Sequence, residues 1–118
     1  MTIQADVAIE ADVMRMFQAV DAKLGRISGM VNNAGVVDMP SRVDAMSVER
    51  LERMWATNIT SSFVCAREAV KRMSTKHGGS GGSIVNLSSA AAKLGSPGQY
   101  VDYAASKAAI DTFSIGLA

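Results

Sequence analysis

The chain has 118 residues and is 48% hydrophobic and 19% charged, a composition that supports one folded domain and excludes disorder as the default state. Twelve Lys and Arg face eleven Asp and Glu, so the net charge of +1 carries neither the basic excess of a nucleic-acid binder nor an acidic run. One cysteine, Cys65, makes no internal disulfide, no apolar run reaches the roughly 18 residues of a membrane span, and residues 1–10 lack a secretory layout. These features together lead to the expectation of a soluble cytoplasmic domain with no membrane or nucleic-acid partner and no metal centre.

Short apolar runs alternate with amphipathic ones, which predicts α/β architecture with parallel strands in the order β-α-β-α-β-α. Residues 2–6 read as a short strand with Ile3 and Ala5 on one face. From residue 10 to 24, Val13, Phe17, Val20 and Leu24 recur at steps of four, three and four, one helical stripe, and Gly25 stands where a left-handed C-terminal cap belongs. Residues 27–33 form the second strand, apolar at Met30 and Val31 and ending in Asn32-Asn33-Ala34-Gly35, and a loop with Pro40 follows. Ser47 suits the N-cap of a helix carrying Val48, Leu51 and Trp55. Helical spacing runs on through Ile59, Phe63, Ala66, Val70 and Met73, interrupted by the polar Asn58, with Glu68 and Arg72 as an i,i+4 surface pair. Residues 77–83, HGGSGGS, read as a flexible hinge in which His77 is solvated. Residues 83–87 make the third strand around Ile84 and Val85 and end in Ser88-Ser89. Residues 90–99 contain Gly95, Pro97 and Gly98 and read as a loop, and an Ala-rich helix runs from Tyr100 to the end. Cys65, Trp55 and the eight methionines suit core or interface packing.

Tyr103 and Lys107 are four apart on that last helix, so their side chains stand over one another. A free phenol, with a pKa of about 10, is a poor acid–base catalyst at neutral pH; an ammonium held beside it stabilises the phenolate and moves it toward useful proton transfer. Ser88-Ser89 and Asn32-Asn33-Ala34-Gly35 both follow predicted strands, and open parallel sheets bind ligands outside the carboxyl ends of their strands. Hydroxyl, phenol, ammonium and amide groups therefore belong to one rim.

Asn32-Asn33-Ala34-Gly35, Asn58, Ser89 and Tyr103-Ala-Ala-Ser-Lys107 resemble, in order and spacing, the signature set of the short-chain dehydrogenase/reductase family, and Asp6-Val7 resembles that family's acidic motif beside the adenine. The resemblance implies a partial Rossmann-like, doubly wound parallel sheet and one partial dinucleotide-binding domain over residues 1–118. It implies an NAD(P)-dependent oxidoreductase that moves a hydride between NAD or NADP and a small alcohol or ketone. In that family's mechanism Tyr103 exchanges the substrate proton, Lys107 acidifies Tyr103 and holds the nicotinamide ribose, Ser89 hydrogen-bonds the reacting oxygen, and Asn58 keeps a water in line with Lys107. Asn33, Ala34 and Gly35 would lie along the adenosine half of the cofactor, with Asp6 and Val7 at the adenine. Tyr100 competes with Tyr103, but only Tyr103 has a lysine at the family's spacing; Ser88 competes with Ser89, and a one-residue step in a strand turns a side chain to the other face.

The resemblance covers the middle portion of such an enzyme. The family's first two strands and its glycine-rich pyrophosphate turn have no counterpart here, and neither do its C-terminal strands. The run Gly78-Gly79-Ser80-Gly81-Gly82 leads into a strand rather than a helix and lacks the Lys-Ser/Thr of a P-loop, which makes mononucleotide binding there a remote reading. In the doubly wound order 3-2-1-4-5-6, residues 2–6 as strand 3 would sit about 14 Å from strand 4 at about 4.8 Å per strand. That gap predicts either association with another copy or disorder before residue 25. Related enzymes pair the helices around residues 59–73 and 103–117 with their copies, so a homo-oligomer, dimer or tetramer, is expected. A non-catalytic self-associating fragment is the alternative to an enzyme.

Overall fold

The computed structural model describes all of residues 1–118. Its elements run α1 (Glu10–Leu24), β1 (Gly29–Asn32), α2 (Val48–Trp55), a π turn (Ala56–Thr60), α3 (Ser61–Met73), β2 (Ser83–Asn86), α4 (Ala91–Leu94) and α5 (Val101–Leu117). β1 and β2 pair in parallel, Gly29 opposite Ser83 and Asn32 opposite Asn86, and make the whole sheet. Both strands are shorter than their apolar runs suggest. The ladder closes where the Asn32 side-chain amide donates to the Asn86 side-chain carbonyl at 2.8 Å, and Asn86 in turn donates to Ser114 Oγ of α5 at 2.9 Å.

Residues 2–6 are not a strand. Their alternation is real, since Ile3, Ala5 and Val7 are half-buried while their neighbours are exposed, but a strand exists only with a partner. Between Val7 and the free edge of β1 lies an apolar cleft of about 360 Å³ that Phe17, Val20 and Cys65 also line. The segment is extended and held at its end, where the Asp6 amide donates to Asp12 Oδ2 (2.8 Å) and the Ala8 amide to Asp6 Oδ1 (2.9 Å).

The core is one cluster of Val13 and Phe17 from α1 with Cys65, Ala69 and Met73 from α3. On α1 the apolar stripe holds for its first half and ends in an exposed Leu24, beyond the reach of α3. Gly25 does have a positive φ of 76°, but its ψ of −152° lies outside the left-handed helical basin. Ser47 caps α2 as its spacing predicts, accepting from the Arg50 amide.

The long helix expected over residues 48–73 is not continuous. The Ser61 amide donates five residues back, to Ala56, and this single wide turn shifts the phase of everything after it. The buried face includes Met54, Asn58, Cys65, Ala66, Ala69 and Met73; of the expected stripe Ala66 and Met73 are buried, Trp55, Ile59 and Val70 are half-buried, and Phe63 is exposed. The Glu68–Arg72 pair forms, yet it is not a surface pair. Glu68 is 2% exposed and accepts from Arg67, Lys71 and Arg72, while Arg72 also pairs with Asp21 of α1 at 2.7 Å and lies over the Phe17 ring.

The glycine run is a packed turn rather than a hinge. A side chain at Gly79 would collide with the Met73 carbonyl, and one at Gly82 would come within 2.6 Å of the Ser28 carbonyl. The segment after β2 holds the short helix α4, which Gly95 ends in a left-handed cap (φ 76°, ψ −11°). No helix is long and apolar enough to cross a membrane.

Candidate active site

Beyond the carboxyl ends of β1 and β2, beside α5, Gly35, Asn58, Tyr103 and Lys107 come together. Tyr103 and Lys107 share one face of α5, with Nζ 5.8 Å from the centre of the phenol ring. Lys107 is buried, and its ammonium donates to the Leu87 carbonyl at the end of β2 at 2.8 Å. An ammonium has three donors, so this bond anchors Nζ and leaves two for other groups. Tyr103 is half-buried.

Asn58 sits in the π turn, 1% exposed and fully engaged. Its side-chain carbonyl accepts from the Val36 amide (2.7 Å), and its amide donates to the Val36 carbonyl (2.8 Å) and to Ser106 Oγ (3.0 Å). Ser106, fully buried, donates its own hydroxyl hydrogen bond to the Tyr103 carbonyl at 2.7 Å. A chain of bonds therefore runs from the loop after β1 through the π turn to the backbone of the tyrosine. Apolar spacing does not single out Ser106; the one signal for it is its place between Tyr103 and Lys107 in the motif.

Gly35 completes this corner. A Cβ built on it would lie 3.5 Å from both Asn58 Oδ1 and Lys107 Nζ, at ordinary contact distance. Asn33, Ala34 and Gly35 are exposed along the rim. Val7 lines the same cleft as Asn33 and Ala34, whereas Asp6 faces a neighbouring cleft with Val36 and Thr57.

The two serines are used differently. Ser88 Oγ donates to the Lys107 carbonyl of α5 (3.2 Å), a structural tie, while Ser89 Oγ accepts the Ala91 amide (3.2 Å) and keeps its own proton available. Tyr100 is the N-cap of α5, with its carbonyl taken by the Ala104 amide. No three His, Cys, Asp or Glu side chains converge in a metal-binding cluster. His77 lies exposed, far along the chain from this rim, and burial pushes the Cys65 thiol up, as befits a core residue.

One ion pair beside this corner is invisible to spacing arguments. Arg50 of α2 forks onto Asp102 of α5, Nε to Oδ2 at 2.8 Å and Nη2 to Oδ1 at 3.2 Å. Burial pushes the Asp102 carboxyl up, but Arg50 and the Tyr103 amide outweigh it and hold the group below the ordinary carboxylate range.

A family model described as short chain dehydrogenase matches residues 1–118. The chain belongs to that family. It is 53% identical over 115 residues to an uncharacterized oxidoreductase of Escherichia coli, covering 98% of this chain and 47% of that protein. It is 32% identical over 114 residues to a 3-beta-hydroxysteroid dehydrogenase of Comamonas testosteroni, covering 97% of this chain and 42% of that protein. Among solved structures, a short-chain dehydrogenase/reductase from Serratia marcescens superposes with a TM-score of 0.86 at 30% identity, over 98% of this chain and 44% of that one. The chain thus spans less than half the length of these short-chain dehydrogenases, and its two strands and the helices about them are the middle of their Rossmann-like sheet.

Proposed function

We propose that this chain carries the proton-transfer half of an NAD(P)-dependent alcohol or ketone oxidoreductase, with Tyr103 as acid–base, Lys107 as its electrostatic partner, Ser89 on the reacting oxygen and Asn58 as the anchor behind them. The observation that carries this reading is the Lys107 ammonium held 5.8 Å from the Tyr103 ring and 3.5 Å from where a Cβ of Gly35 would stand. When bound, NAD or NADP supplies the hydride acceptor or donor. The residues present fit part of such a cofactor: Lys107 has two donors left for a ribose, and Asn33, Ala34 and Gly35 offer an open backbone edge with Val7 beside it. The one glycine run leads into β2 rather than into a helix, so it offers no helix N-terminus for the pyrophosphate.

In the oxidative direction, the alcohol proton passes to the Tyr103 oxygen as the carbinol carbon gives up its hydride. Ser89 donates to the substrate oxygen throughout, and Lys107 offsets the negative charge on the phenolate before transfer. In reduction the same proton travels back from Tyr103 to the carbonyl oxygen. A mixed panel of alcohols and ketones with either nicotinamide, followed by the absorbance of the reduced ring, tests this. Turnover that vanishes in Tyr103→Phe while the fold survives is the expected result; turnover that persists in that variant rejects the assignment.

A second reading, self-association, is favoured by a separate observation. α3 and α5 present a joint apolar face with a groove of about 680 Å³ lined by Ile59, Phe63, Phe113 and Leu117. Phe63 and Phe113 stack at 4.0 Å between centroids although Phe63 is 48% exposed. An aromatic pair held open to solvent suits a second copy of the same face. Phe63→Glu is expected to convert a dimer or tetramer to monomer by light scattering; a parent chain that is monomeric at all concentrations removes this reading.

A further inference from the structure

Arg50 occupies the third position of α2, where its own amide is taken by the Ser47 cap. A cation in the first turn of a helix faces the positive end of the helix dipole, so this place opposes rather than favours it. Its side chain is nevertheless 10% exposed, and all three of its nitrogens are used. Two fork onto Asp102, whose side chain is fully buried, and the third, Nη1, donates to the Met39 carbonyl at 2.7 Å. Met39 belongs to the loop that leaves Gly35, and two residues on the Ser41 amide donates to the Gln99 carbonyl at 2.8 Å, in the segment that enters α5. Asp102 is the residue before Tyr103, in the first turn of α5. One guanidinium thus joins α2, the loop after β1 and the first turn of α5, and a second bond closes the ring from the far side.

We infer that Arg50 is a positioning residue for the reaction proposed above. Resting on that reading, its fork sets the first turn of α5, and with it the phenol of Tyr103, against the loop that forms the opposite lip of the site. A planar guanidinium can serve two carboxylate oxygens and a carbonyl at once; a lysine ammonium reaches fewer of them and fixes no plane. The role therefore depends on the shape of the group as well as its charge.

The test is nuclear magnetic resonance on the 118-residue chain carrying Tyr100→Phe, so that Tyr103 is its one tyrosine. The parent is expected to show a cross-peak between the Tyr103 ring and the Lys107 side chain, and a protected Ser41 amide. Arg50→Lys keeps the charge and is expected to weaken that cross-peak and to speed Ser41 exchange by about tenfold, while the Leu87 amide, bonded to Asn32 within the sheet, stays at its parent rate. Arg50→Met with Asp102→Leu, which removes the ion pair without stranding a charge, keeps the fold and is expected to show the same loss. An unchanged cross-peak and Ser41 rate in both variants overturns the inference. So does acceleration of Ser41 and Leu87 by one common factor, which marks general destabilisation. These readouts need no turnover: an inactive chain rejects the oxidoreductase reading and still decides whether Arg50 places Tyr103.

Discussion

Asn58→Ala is the most direct probe of how the site is built. The side chain is 1% exposed and makes four bonds between 2.7 and 3.0 Å: two to Val36, one to Ser106 Oγ and a weak one to Met54 Sδ. A typical intramolecular hydrogen bond is worth about 1 kcal/mol net, and a group stranded in the interior costs more. Val36 is 43% exposed, so water can replace its two lost partners and their share falls to the low end. Ser106 keeps its bond to Tyr103 and loses only one neighbour. The sum is about 2 to 3 kcal/mol, or about 8 to 12 °C in Tm for a domain of this size. Asn58→Asp is the sharper companion. It keeps the oxygen that receives the Val36 amide but turns a buried carboxylate oxygen toward the Val36 carbonyl, and so is expected to cost more than alanine, about 3 to 5 kcal/mol. Urea titration followed by circular dichroism and Trp55 fluorescence measures both. A midpoint for Asn58→Ala within about 0.5 kcal/mol of the parent, or aspartate milder than alanine, refutes the network as described.

Gly35→Ala should leave stability within about 1 kcal/mol, since its Cβ meets only ordinary contacts, but abolish any rise in Tm on adding NAD or NADP; calorimetry with and without the nucleotide checks this. Burial raises Glu68, but Lys71, Arg72 and Arg67 outweigh it and hold the carboxyl below its ordinary value of 4.5; Asp102 is likewise held below 3.8, chiefly against burial and by Arg50. Because the native values are the lower ones, stability should be level from pH 7 to 5 and fall progressively below about pH 4.5, with a shallower fall in Glu68→Gln, read from thermal melts across pH. Lys107→Met removes the bond to the Leu87 carbonyl and should cost about 1 to 2 kcal/mol in urea, whereas Tyr103→Phe, whose hydroxyl bonds no other side chain, should cost less than about 0.5.

The helices were legible because their apolar residues recur at helical steps and Ser47 stands at a cap. The phase of the middle helix was not, because nothing in the apolar pattern announces one extra residue in a turn; only the polar Asn58 marks the place. Likewise Ile3, Ala5 and Val7 alternate as a strand should, yet pattern supplies a face and not a partner. Tyr103 and Lys107 could be paired from the sequence because a spacing of four puts both on one face of a helix. Arg50 and Asp102 lie 52 residues apart and are joined only once the chain has folded, so no local signal reports them. The burial of Glu68 escaped notice for a related reason: its neighbours on α3 suggest an exposed pair, and it is Asp21 and Phe17 of α1, drawing Arg72 inward, that close the surface over it.

The wide turn at residues 56–60 amounts to one residue more than a regular helix would use. Deleting a single residue there would let the coil tighten, and each residue of an α-helix subtends about 100°. The half bearing Arg50 and Met54 would then be screwed round by that angle against the half bearing Cys65 and Ala69. Either the greasy seam on Phe17 or the grip on the tyrosine's helix would have to be surrendered. A chain that aims one rod at two different neighbours has a simple use for an odd residue: it works as a set-screw between them.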